Sequence, residues 1–279
     1  MGGTGAAAWW TLAGGASPGR VLLGASVAAA AVITLLERAL PYQRKWLTSQ
    51  GDLRTDLLHL LFTSVLAAGG RWFNAFAILA LGLNQPAVSA SLWPAAWPLP
   101  AELALALLIQ DFCGYWVHRA QHEIRVLWRF HSIHHSAPRL YWLNQWRNHP
   151  IDALVSGASM IPLALLGAPE TTLAVYGVVT TVHLLLQHAN IDYRLGPFDR
   201  LLSAARAHRW HHSRNPCEAN ANYGSVLLVW DALFRTRVWP IGREPPVDTG
   251  LGTQPDFPQG YVSQLTAPFD ARRWRRPLR

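Results

Sequence analysis

The sequence predicts an all-α integral membrane protein, with four to five transmembrane helices and a cytoplasmic helical cap that carries clusters of histidine. Three observations lead there. Of the 279 residues 51% are hydrophobic and 14% charged, against roughly a quarter charged in an average soluble domain. Apolar runs near the roughly 20 residues that cross a hydrocarbon core recur along the chain. The arginines gather in alternate loops, the pattern of loops that stay in the cytoplasm.

The opening MGGTGAAAWW has no basic stretch ahead of its apolar residues, so no cleaved signal is expected. Ala6 stands where a myristoylation signal beginning at Gly2 needs Ser or Thr. Residues 21–36 form the first apolar run, closed by Glu37 and Arg38; being short and alanine-rich, it also suits an interfacial helix. Residues 57–83 form the second and carry Arg71 near their middle, so that helix breaks at Gly69-Gly70 or turns Arg71 toward protein. The third is 101–117. The fourth and fifth, 151–167 and 171–188, are separated only by Ala168, Pro169 and Glu170, which predicts an antiparallel hairpin.

Loop 38–56 carries Arg38, Arg44, Lys45 and Arg54, and loop 118–150 carries Arg119, Arg125, Arg129, Arg139 and Arg147. The stretch after 188 is also arginine-rich, whereas 84–100 has no charge. The positive-inside rule therefore places 38–56, 118–150 and 189–279 in the cytoplasm, with the N-terminus outside. The net charge of +8 invites a nucleic-acid reading, but basic loops beside apolar spans account for it, and no nucleic-acid partner is expected. Cys113 and Cys217 make no disulfide framework and no CxxC pair; packing is the expected role of both.

The histidines then converge. His118 and His122 end the third span; His131, His134 and His135 follow in the same loop. His149 begins the fourth span, His188 ends the fifth, and His208, His211 and His212 lie in the cytoplasmic stretch beyond. HRAQH spaces two imidazoles one helical turn apart, and HSIHH and HRWHH give i,i+3 and i,i+4 pairs, so each can present ligands on one helix face. Imidazole suits Zn, Cu, Fe and Ni. The three clusters, with His188 and His149, are enough for two metal ions. His59, alone in an apolar stretch, is expected to be a packed residue, and His183 is balanced between ligand and core. Glu123, Asp111, Asp192 and Asp231 lie near the clusters without ExxH spacing; holding a distal imidazole nitrogen or capping helices is their expected work. There is no HExxH, so a zincin-type general base is missing.

These residues resemble the sterol desaturase/fatty acid hydroxylase superfamily of membrane oxygenases. HRAQH (118–122), HSIHH (131–135) and HRWHH (208–212) are similar to its HxxxH, HxxHH and late HxxHH boxes. DFCGYWVHRAQHEIRVLWRFHSIHHS, QHANID and NYGSVLLVWDALFRT are similar to the sequence around them, from about 105 to 240, with Arg235 where the family usually has Gly. The resemblance implies a di-iron centre that activates O2 and oxidises a lipid C–H bond, with zinc able to substitute. It implies metal-ligand roles for His118, His122, His131, His134, His135, His188, His208, His211 and His212, and less directly for His149. No catalytic residue beyond these ligands is expected. It further implies a lipid substrate, an external electron-donating reductase, and a bacterial inner-membrane location with the histidines on the cytoplasmic side. The regions expected are N-terminal membrane helices (1–100), a histidine-box hydroxylase domain (101–240) and a C-terminal basic tail (241–279). Two other classes stand beside this one: a membrane zinc-dependent hydrolase, and a non-enzymatic metal-binding or transport protein.

The tail ARRWRRPLR (271–279) has two expectations. One is a solvated end. The other is an anchor to anionic headgroups with Trp274 in the interface.

Overall fold

The structure, a computed structural model, describes residues 11, 14–15, 17–62, 65 and 92–275. Every regular element among them is helical, apart from isolated bridges such as Pro41–Ile191 and Leu202–Leu227. Most of the expected span 57–83, Arg71 included, lies outside the described residues; its beginning is helical over 53–62.

Helix α1, Pro18–Ala39, has Pro18 in its first turn, where the fixed φ helps and no N–H is missed. Among the described residues it is the one helix long and apolar enough to cross a membrane, and only 11% of its apolar window is buried. One face packs on α6 (Glu170–His188), where Val21 clusters with Val175 and Val178, and Ile33 with Leu185 and Ala189.

Helix α2, Leu99–Glu123, contains the third expected span and continues through HRAQH. A single extended residue, Ile124, separates it from α3, Arg125–His135. That corner folds HSIHH back against HRAQH. The fourth expected span is a broken helix: α4 (Pro150–Gly157), a 3-10 turn at Ala158–Met160, and α5 (Ile161–Leu165) with Pro162 in its first turn. Gly167 follows α5 with φ of 76°, a left-handed residue that lets the chain reverse within a few positions into α6. The short turn expected between 151–167 and 171–188 thus forms, but α2 is the helix against which both segments pack.

Buried polar contacts tie loop 41–56 to loop 136–149. Arg139 Nε donates to Asp52 Oδ2 at 2.6 Å and Arg147 Nε to Asp56 Oδ1 at 2.6 Å, both pairs out of solvent. Tyr141 Oη also donates to Asp56, at 2.7 Å. Glu37 Oε1 accepts the backbone N–H of Trp142 and of Asn190, each at 2.9 Å. Asn190 in turn pairs with the backbone of Gln43.

The C-terminal region is not a free tail. Leu251, Phe257, Ala267 and Trp274 pack on Ile133 of α3, with Trp128 beside them. Trp274 is 1% exposed and its indole Nε1 donates to Ala267 O at 2.8 Å. The indole is therefore core, which corrects its placement at a membrane interface: an apolar socket built by α3 outcompetes the headgroup region. His59 Nε2 meets Gln264 Oε1 at 2.9 Å, a packed histidine as expected. Both cysteines are unpaired; Cys113 is half-buried, but Cys217 is exposed, so packing explains only the first.

Candidate metal centre

The corner at Ile124, the end of α6 and the short helix α7 (Ala205–His211) meet at one place. Nine histidines converge there in two adjacent groups. His118, His122, His131, His135 and His211 form one; His134, His188, His208 and His212 form the other. Within each group one nitrogen of every ring lies within 4.8 Å of the others. The HSIHH box divides between the groups, since His131 and His135 are one turn apart while His134 lies about 60° from the first and about 100° from the second. HRWHH divides likewise. The stacked rings of His135 and His212, 4.3 Å between centroids, join the groups.

In the first group the outer nitrogens are held. His118 Nδ1 lies 2.8 Å from Tyr223 O, His211 Nδ1 2.7 Å from Ala221 O, and His122 Nδ1 3.2 Å from Asn220 Oδ1. His131 Nδ1 is 3.2 Å from both carboxylate oxygens of Asp152. Each contact sets the proton on Nδ1 and turns the Nε2 lone pair inward. Accordingly Nε2 of His122, His131, His135 and His211 is buried with no hydrogen-bond partner among the described residues. Buried polar atoms without partners are rare, and four converging lone pairs fit a cation. In the second group His188 Nε2 lies 3.2 Å from His134 Nε2 and 3.0 Å from His208 Nε2, while His188 Nδ1 is 3.1 Å from Leu184 O. Three imidazole nitrogens at such spacing also fit a shared cation. The all-imidazole donor set suits iron, zinc, copper or nickel.

Burial, and then neighbouring imidazoles, hold His122, His134, His135, His208 and His212 well below the ordinary histidine range. Burial pushes His211 down to about 3. These rings are neutral at pH 7, the form that binds metal.

His149 stands outside both groups. Its Nδ1 accepts the N–H of Ile151 at 3.1 Å, capping α4, and its Nε2 is 3.3 Å from Leu265 O. Both ring nitrogens contact protein, and the ring lies apart from the nine. His183 is also outside, with Nε2 3.1 Å from Ser203 O. Asp111 and Asp231 shape the loop behind His118. Asp111 accepts the N–H groups of Val226 and Leu227, and Asp231 those of Tyr223 and Gly224. Exposed Glu123 pairs with half-buried Arg119, and Asp192 is exposed. Asp152, the carboxylate that contacts His131, was missed by the sequence reasoning. Its position three residues after His149, at the start of a span, was the available signal.

NYG owes its residues to this loop. Asn222 is buried at φ of 55° and bonds Val238 and Ala207 through its amide. A Cβ on Gly224 would lie 2.1 Å from Leu227 O. Arg235 also sits in the left-handed region, at φ of 60°, which explains the glycine usual at this position.

Residues 103–236 match the fatty acid hydroxylase family. The chain is 39% identical over 249 residues to ornithine lipid hydroxylase OlsE of Rhizobium tropici, covering 87% of this chain and 73% of that protein. It is 35% identical to alkylglycerol monooxygenase of Danio rerio over 52% of this chain, but spans only 31% of that longer protein. Methylsterol monooxygenase 2-2 of Arabidopsis thaliana is 27% identical, over 61% of this chain and 70% of its own length. No solved structure matches. The chain belongs to the fatty acid hydroxylase family, within the sterol desaturase/fatty acid hydroxylase superfamily, and is an oxidoreductase of that type.

Proposed function

We propose that the protein is a membrane-bound di-iron oxygenase that hydroxylates or desaturates a C–H bond of a lipid, using O2 and electrons from a separate reductase. The observation that carries this is the pair of all-histidine groups, one with four inward, unpartnered Nε2 atoms and the other with three Nε2 atoms crowded together. In this reading His118, His122, His131, His135 and His211 hold one iron, and His134, His188, His208 and His212 the other. Iron bound there supplies the activation of O2 that C–H oxidation needs.

The chain's own residues do the rest. Asp152, Asn220 and the carbonyls of Ala221 and Tyr223 fix the ring orientations of the first group. The carbonyl of Leu184 does so for His188. The cavity between α2, α4 and α6 reaches histidines of both groups and gives a lipid segment access to them. Relatives named as hydroxylases and monooxygenases of ornithine lipid, alkylglycerol and methylsterol support a lipid substrate. The absence of a nucleotide fingerprint or CxxC pair in the sequence supports an external reductant. Arginine placement supports a cytoplasmic site, and in a bacterial cell the inner membrane.

A hydrolase is less well supported. Asp152, the carboxylate seen at a ligand, is occupied by His131 and Gln121 rather than set to activate water. A transporter finds no support among the named relatives. The test is to compare the lipids of a deletion strain with its parent, aerobically and under strict anaerobiosis. A species differing by one oxygen or two hydrogens, absent in the deletion and formed only with O2, is expected. The same product formed without O2 refutes the oxygenase reading.

A further inference from the structure

The two histidine groups are held differently. In the first, four rings are oriented through Nδ1 by Tyr223 O, Ala221 O, Asn220 and Asp152. In the second, His188 Nδ1 meets Leu184 O at 3.1 Å. His134 Nδ1 and both nitrogens of His212, however, are buried without a hydrogen-bond partner among the described residues. Side-chain bonds therefore do little to place His212. Its position and that of His208 beside His188 follow from how α7 docks on the chain leaving α6.

Arg209, one residue after His208 in HRWHH, makes that joint. Its side chain is buried, and Nη2 donates to Ala189 O at 3.0 Å and to Ile191 O at 2.7 Å. Ala189 is the residue next to His188. The guanidinium also lies 3.8 Å from the centroid of the Tyr42 ring. Tyr42 is itself pinned: its N–H donates to Asn190 O at 3.2 Å and its Oη to Pro245 O at 2.5 Å. One further bond, from Ala205 N–H to Tyr193 Oη at 3.1 Å, closes the same joint. The other buried arginines, Arg139 and Arg147, face Asp52 and Asp56. Arg209 has no carboxylate partner among the described residues, and its Nε finds no acceptor there. A buried cation so placed is costly, and an uncharged side chain of like length would fill the space without that cost. What the guanidinium adds is donation to backbone beside His188 and a flat face for the ring.

We infer that Arg209 is a positioning residue for the second group: it clamps α7 to the chain leaving α6 and to Tyr42, and so sets His208 and His212 against His188 and His134. This rests on the reading that each group holds an ion. It adds that the second site, unlike the first, is assembled through a buried arginine rather than through bonds to its own rings.

The test challenges iron-loaded, full-length protein in nanodiscs with an Fe(II) chelator under anaerobic conditions and follows the iron retained per chain. The intact chain is expected to start with about two irons. In Arg209→Met one iron is expected to become about 10–100-fold easier to extract, the scale for losing a group that orients a ligand, while the other keeps its affinity. Arg209→Lys, which can still donate to both carbonyls, is expected to restore most of the loss. Adding His208→Ala to Arg209→Met should change little, because both act on one site, whereas adding His135→Ala should remove the remaining iron. If Arg209→Met does not fold, Tyr42→Leu carries the test: it removes the ring, spares the guanidinium and is expected to weaken one iron only. Two irons of unaltered affinity in the variant tested, or equal weakening of both, overturns the inference and leaves the two-ion reading standing. So does Arg209→Lys no better than Arg209→Met. An intact chain that holds a single iron overturns both.

Discussion

Removing the Asp152 carboxylate isolates what lies behind the histidines. Asp152 is 2% exposed and accepts from His131 Nδ1 through both oxygens at 3.2 Å. Gln121 Nε2 donates to Oδ1 at 2.6 Å and to Ser156 Oγ at 3.0 Å. In Asp152→Ala, Gln121 keeps the serine but His131 loses its acceptor in a buried site. An unmade buried hydrogen bond costs about 1–3 kcal/mol. The proton on Nδ1 is then no longer fixed, and Nε2 is less available. Loss of such a partner weakens metal affinity about 10–100-fold, or about 1.4–2.8 kcal/mol, so the two magnitudes agree. Asp152→Asn keeps an accepting oxygen and loses only the charge, so its loss belongs at the tenfold end. The assay is Fe(II) competition between purified protein and a chelator, with thermal unfolding run alongside. Asp152→Ala with unaltered iron affinity refutes the reasoning. A loss of fold stability with no change in affinity would show Asp152 to be structural only.

Three further outcomes are expected. The metal-free protein loses stability on acidification: His211 and its buried neighbours have folded-state pKa values below the unfolded value of about 6.5. The unfolded chain therefore takes up protons first. The contribution is full above about pH 6.5 and is lost as pH falls toward the folded values; a flat unfolding curve from pH 7 to 5 contradicts this. Arg235→Gly relieves a left-handed residue at an exposed position and should raise stability by about 1 kcal/mol, read as a higher Tm with unchanged metal content. Trp274→Ala opens a hole against Ile133, Leu251 and Phe257 and should cost about 3–5 kcal/mol, whereas an interfacial indole would cost little.

The histidine boxes were legible in sequence because helix spacing and ligand spacing coincide: a one-turn repeat puts rings on one face wherever the helix goes. The split of HSIHH and HRWHH between two groups was not legible, since it depends on the corner at Ile124 and on how α7 meets α6. His149 has the right residue type beside the clusters, and only its side-chain bond to Ile151 N–H reveals a helix cap. Asp152 was overlooked because its partner lies on another helix, at no fixed sequence distance. Arg139 and Arg147 entered the charge count that set the topology, yet both are consumed in buried ion pairs with Asp52 and Asp56. Charge counting cannot separate such arginines from solvated ones. The basic end was misjudged for a similar reason: five arginines obscured Trp274, whose socket is assembled from α3 and residues 251–269.

Two histidine groups are proposed to hold two irons. Metal analysis of protein purified from cells grown in iron-replete medium without added zinc tests it most directly, on the intact chain and on His135→Ala and His208→Ala, one variant from each group. About two irons per intact chain are expected, with each substitution lowering the count. Stoichiometric zinc without iron, or iron content unmoved by both substitutions, would contradict it.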